Sequence, residues 1–184
     1  MSVSRTRSMT TDSSQVPFDE ARHSLARTPA ILAAILPALS QTELHTNEGP
    51  DTWSPFQVLG HLLYGERVNW IPRIEIALSG GEFARFDRFK HLELYRDATV
   101  ADLLSEFTAT RVTNLHALDQ LALDEETLNR VAQHPDLGPI TVRQLIATWV
   151  LHDWAHLGQI TRTVAKSYGP FVGPWRQYFH ILEQ

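Results

Sequence analysis

The 184-residue chain contains no cysteine. That excludes disulfide bonds, thiolate metal sites and a cysteine nucleophile together. Any metal site must therefore be built from histidine and carboxylate. An excess of positive charge is also missing: 16 Lys and Arg stand against 21 Asp and Glu, for a formal net charge of −5. A general nucleic-acid surface, which would be basic, is not expected. No apolar run approaches the roughly 20 residues that cross a bilayer. The opening MSVSRTRSMTTDSSQ lacks the apolar stretch of a secretory signal. These absences point to a cytoplasmic protein without membrane or nucleic-acid partners, with a disordered tail over residues 1–15. Strand signals are scarce too, since no segment shows convincing alternation between hairpin turns.

What is present is the grammar of helices. Hydrophobic residues at 43% and charged residues at 20% suit one globular domain, taken as residues 16–184. Three helix starts are marked: Ser54 with Gln57 and Thr141 with Gln144 carry the residues of a capping box, and Thr99 is an N-cap with Asp102 near the positive end of the helix dipole. They open helices expected over Pro55–Ser79, Val100–Leu121 and Val142–Tyr168, after a first helix over Phe18–Leu39. Pro72 is expected to kink or end the second of these. On the third, Leu103, Leu104, Phe107, Val112, Leu115, Leu118 and Leu121 recur at helical spacing. The fold class is therefore all-α, a four-helix bundle. The link from Gly80 to Ala98 is long enough to cross the bundle, so the second and third helices are expected to run parallel. The closing GPFVGPWRQYFHIL is too apolar for a free tail and is expected to pack back, as a short extra helix or a packed segment. Together with the aromatic-rich link it could supply an apolar patch for a homodimer.

Nine histidines are the other surplus. His152 and His156 stand four residues apart in LHDWAHLGQI, so both imidazoles leave one face of the fourth helix. Chance alone gives roughly 0.4 such pairs in a chain of this composition, so the spacing by itself decides little. Context adds weight. Leu145, Trp149, His152, His156, Gln159 and Ile160 form one broad stripe, which turns the pair inward. His61 lies among Val58, Leu62 and Gly65 on the second helix, at a depth within about 8 Å of His152. The trio His61, His152 and His156 is thus a candidate metal set, with structural histidines as the plain alternative. His23, His116 and His180 have sufficient packing or surface roles, and His45, His91 and His134 fall in links.

Two stretches, WSPFQVLGHLLYGE from Trp53 and HPDLGPITVRQLIATWVLHDWAHLGQI from His134, resemble the DinB/YfiT-like superfamily. The resemblance runs from about Phe18 to Tyr168. It implies a four-helix bundle in up-down-down-up order. It also implies a divalent metal held by one histidine of the second helix and two of the fourth, which match His61, His152 and His156. Characterised relatives include S-transferases that use low-molecular-weight thiols such as bacillithiol, and a mycothiol-dependent isomerase. The expected function is that of a metal-dependent enzyme, a thiol-dependent S-transferase or a hydrolase. A non-catalytic, stress-associated protein that binds metal or ligand is the alternative. Imidazole ligation suits zinc or nickel, with iron or copper also admissible. Gln159, Trp149, Glu66 and Asp153 are candidates to orient the imidazoles or line the pocket, with interhelical pairing as the plain alternative for the two acids. Metal affinity is expected to fall below about pH 6, near the unperturbed imidazole pKa.

Overall fold

The computed structural model describes residues 17–183, so the tail expected over residues 1–15 lies outside the described residues. The chain forms α1 (Phe18–Ile35), α2 (Gln41–His45), α3 (Pro55–Val68), α4 (Trp70–Ser79), α5 (Lys90–Leu94), α6 (Val100–Gln120) and α7 (Glu125–Leu128). A two-stranded hairpin, β1 (Val131–His134) and β2 (Gly138–Thr141), precedes α8 (Val142–Tyr168). Both expected capping boxes close, and the Thr99 N-cap is a box as well, since Asp102 also bonds back to the Thr99 N–H. Each satisfies two N–H groups that a helix start leaves open.

The expected second helix is two helices. Pro72 has no N–H to give the Val68 carbonyl, and its ring crowds that carbonyl. The chain breaks at Asn69, where φ is −111° and ψ −58°, and restarts as α4. Gly80 then ends α4 at φ 75°, in the left-handed region that glycine adopts without penalty. The first helix likewise stops at Ile35, and a short 3-10 turn, Leu36–Ala38, with Pro37 at its centre, follows. The hairpin was not expected, because its strands have four residues each and bury only Ala132. Two strands leave the all-α class unchanged. After α8 the chain turns back in short 3-10 segments, with Gly169 buried but Phe171 and Trp175 exposed.

Helix directions follow from which residues meet. Arg67 of α3 pairs with Glu106 of α6, and Asn114 reaches the Glu66 carbonyl, so the two helices lie side by side. Early residues Leu59 and Leu103 share one core cluster; later residues Ile74 and Leu118 share another. The α3–α4 rod and α6 therefore run parallel. Between α1 and α8, Thr28 bonds Asp153 and Leu32 shares a cluster with Ile160, so these are parallel as well. His61 beside His152 and Glu66 beside Trp149 make α3 and α8 antiparallel. The order is up-down-down-up. The link containing α5 makes the required return crossing.

The core has two apolar halves. One gathers Leu25, Trp70, Leu115 and Trp149; the other gathers Leu32, Leu62, Phe107 and Leu157. On each long helix the boundary between halves carries buried polar residues: Thr28, Glu66, Arg111 with Asn114, and Asp153. Val112, expected on the inner face, is 63% exposed, and Arg111 takes that face fully buried.

Candidate metal centre

His61, His152 and His156 come together in this polar layer. Helix α3 delivers the first from its second turn after the Ser54 box, and α8 delivers the other two from one face. One nitrogen from each ring lies within 4.8 Å of the others, and His61 Nε2 is 3.0 Å from His152 Nε2. Tetrahedral zinc with N ligands at about 2.0–2.1 Å spaces them roughly 3.3 Å apart, so the trio matches the donor set of such an ion. His156 turns its Nδ1 toward Gln159 Oε1 at 3.0 Å. An Nδ1–H donated there leaves Nε2 as the free lone pair. Gln159 in turn points its amide at the Trp53 carbonyl, 3.4 Å away.

The other nitrogens are not provided for. Among the described residues, six buried side-chain polar atoms lack a partner; four are His61 Nδ1, His152 Nδ1 and both nitrogens of His91. The shortage is thus concentrated at one place. Burial, then the imidazoles of His156 and His91, pushes the His61 pKa down to about 3. Burial, then His156 and His61, takes His152 to about 2. His156 is lowered too, by burial, against the Gln159 bond. All three are therefore neutral, metal-ready donors at pH 7. Protons begin to compete for His61 and His152 well below the pH 6 expected from an unperturbed imidazole.

Aromatic rings wall the cluster. Trp53 lies 4.4 Å from the His61 ring and Trp70 lies 5.1 Å, edge-on, from His152. The Arg88 guanidinium sits 5.4 Å over Trp53. Trp149, a candidate for the pocket, is fully buried one layer deeper, stacked at 5.6 Å on Trp70 with its indole N–H given to Glu66.

Glu66 and Asp153 both turn to Arg111, not to the imidazoles. Arg111 donates to Glu66 at 2.8 and 3.0 Å and to Asp153 at 2.7 and 3.1 Å. It also takes the Leu25 carbonyl at 2.7 Å. Pro29, four residues on, has no N–H to offer that carbonyl, so the guanidinium supplies the missing donor. Asn114 and Thr28 complete the set. Burial would lower the Arg111 pKa, but the Asp153 and Glu66 charges outweigh it and hold the guanidinium charged. Burial raises Glu66 against the pull of Arg111, because two carboxylates share one cation.

His91 is the residue that sequence reasoning missed. Placed in a link, it is 1% exposed, 5.1 Å from the His61 ring and 4.7 Å from Trp53. The readable signal was Tyr95 four residues on, with Gly60 on α3 receiving both: a Cβ there would lie 3.2 Å from Tyr95 and 3.6 Å from His91. His45 packs on Phe56, and His134 accepts the Asp136 N–H. His23, His116 and His180 are exposed.

A family model for the DinB superfamily matches residues 24–160. The chain belongs to the DinB superfamily. Among solved structures, this DinB protein is similar to YfiT from Bacillus subtilis, described as a probable metal-dependent hydrolase with an unusual four-helix bundle topology. The match has a TM-score of 0.72 and 20% identity over 89% of this chain and 93% of that one. A DinB-like protein from Bacillus subtilis, YjoA, aligns with a TM-score of 0.52 and 16% identity over 80% and 92% of the two chains. At these identities the likeness concerns the fold. No curated protein matches the chain. No helix among the described residues is long and apolar enough to cross a membrane.

Proposed function

We propose that this DinB protein is a metal-dependent enzyme whose divalent ion is held by His61, His152 and His156. The observation that carries the reading is the convergence of three neutral imidazoles, one nitrogen of each within 4.8 Å of the others. Bound there, a divalent ion would lower the pKa of a coordinated water to about 7, or ionise a coordinated thiol.

The chain's own residues supply the rest. Gln159 fixes the His156 ring and its tautomer. Trp53 and Trp70 keep His61 and His152 in a dry, low-dielectric wall. Arg111 holds α1, α3, α6 and α8 in register one layer away, so the three donors stay aligned. No side chain offers sulfur as a nucleophile. The attacking group is therefore water, as in a hydrolase, or the sulfur of a low-molecular-weight thiol, as in an S-transferase. YfiT, with its description as a probable metal-dependent hydrolase, supports the first.

The test is turnover by zinc-loaded, nickel-loaded and metal-free protein. Esters and amides are offered with water; electrophiles are offered with bacillithiol, mycothiol or glutathione. Metal-dependent turnover of at least one pairing is expected, and His61→Ala should abolish it while leaving the helical circular dichroism intact. Equal rates with and without metal for every pairing would replace the enzyme reading with that of a metal-binding protein.

A further inference from the structure

We propose that His91 is the positioning residue that hydrogen-bonds the atom held at the open side of the histidine trio. The inference rests on the metal reading above and deepens it. Three geometric facts carry it. The His91 ring is as close to His61 as His152 is, 5.1 Å between centroids in each case. It nevertheless lies outside the set of nitrogens that converge within 4.8 Å, so it does not serve as a ligand. Both its nitrogens are closed off from solvent and without a partner among the described residues.

The ring is firmly seated. Trp53 meets it nearly perpendicular, at 81°, and Gly60 leaves just enough room for it and Tyr95 against α3. Its outer side borders a cavity of about 230 Å³ between α3 and α5. The Arg88 backbone favours the charged form of both His91 and His61, yet neither His91 nitrogen closes a hydrogen bond with it. A buried imidazole with two idle nitrogens has lost its water contacts without replacing them. A ligand atom at the trio is one such partner, placed on the side where His61 already stands. One N–H or one lone pair from His91 would then fix the direction from which that atom meets its target.

The probe is azide, added to cobalt-loaded full-length protein and followed by the visible cobalt spectrum. His91→Phe keeps a ring against Trp53 and removes only the nitrogens; His91→Gln returns a donor and an acceptor. Cobalt is expected at one ion per chain in all three proteins. Azide affinity should weaken roughly tenfold or more in His91→Phe, the size of one hydrogen bond to a charged group, and recover at least partly in His91→Gln. In the wild-type protein, the ring nitrogen resonances of His91 should shift when azide is added, a readout that needs no variant. Unchanged azide affinity in His91→Phe, with full cobalt, overturns this inference alone. Loss of cobalt in that variant overturns it by making His91 a ligand. Failure of wild-type protein to bind cobalt, or of azide to bind the cobalt protein, overturns the metal reading and this inference together.

Discussion

Two buried polar clusters share the middle layer of this bundle, and they are built oppositely. Around Arg111 every donor has an acceptor: the guanidinium donates to two carboxylates and to the Leu25 carbonyl that Pro29 leaves free, the Thr28 hydroxyl donates to Asp153, and the Asn114 amide donates to Glu66. Around His61 the count falls short, with four imidazole nitrogens unpaired in one small volume. Burial costs both clusters solvation. The first recovers it from within the chain, whereas the second leaves it largely unrecovered. Saturation marks the part that holds the helices together, and its absence marks the part that acts.

The same replacement in each cluster should separate them. Arg111→Leu leaves Glu66 and Asp153 buried without their cation, and unfolding by urea should show a loss of about 3–5 kcal/mol. His152→Leu removes one buried nitrogen without a partner, Nδ1, together with the Nε2 contact to His61, so the gain and the loss largely offset. Metal-free stability should stay within about 1 kcal/mol of wild type, while zinc affinity falls by more than roughly 100-fold. A large stability loss in His152→Leu would erase the distinction.

Acid should reach the two clusters differently. The folded imidazoles of His61 and His152 take up protons only near pH 3 and 2, whereas the unfolded ones do so near 6.5. The unfolded state therefore binds more protons in between. Stability of metal-free protein is full above 6.5 and falls with pH below it. In His152→Leu the slope between about pH 6.5 and about pH 5 should flatten, because one of these groups is gone. Smallest of all is the effect at the edge of the trio. Gln159→Leu frees His156 Nδ1 and should weaken zinc by roughly tenfold, as lost orienting partners do, with little change in unfolding.

Much of this was legible in the sequence, and the exceptions have physical causes. The capping boxes at Ser54 and Thr141 and the N-cap at Thr99 are local, so residue identity within three positions reveals them. The topology followed from the length of the Gly80–Ala98 link. The trio was readable because α8 repeats histidine on one face and His61 sits amid apolar neighbours. The break at Asn69 was half readable: Pro72 announced it, but its place depends on the Val68 carbonyl one turn earlier. Arg111 was not found, because apolar periodicity gave its face to Val112; a lone charge between Phe107 and Leu115 becomes intelligible only with carboxylates from two other helices. Glu66 and Asp153 were read by their nearness in sequence to histidines, while the structure commits them to Arg111. His91 escaped because α5 is one turn long and carries no periodicity of its own.

The central claim is that His61, His152 and His156 hold a metal ion. Elemental analysis of protein purified without a histidine tag, beside a His61→Ala, His152→Ala, His156→Ala variant, tests it most directly. One divalent ion per chain in the wild type and none in the variant is the expected result. A wild-type chain that remains metal-free after dialysis against zinc and nickel, or a triple variant that keeps its ion, would contradict it.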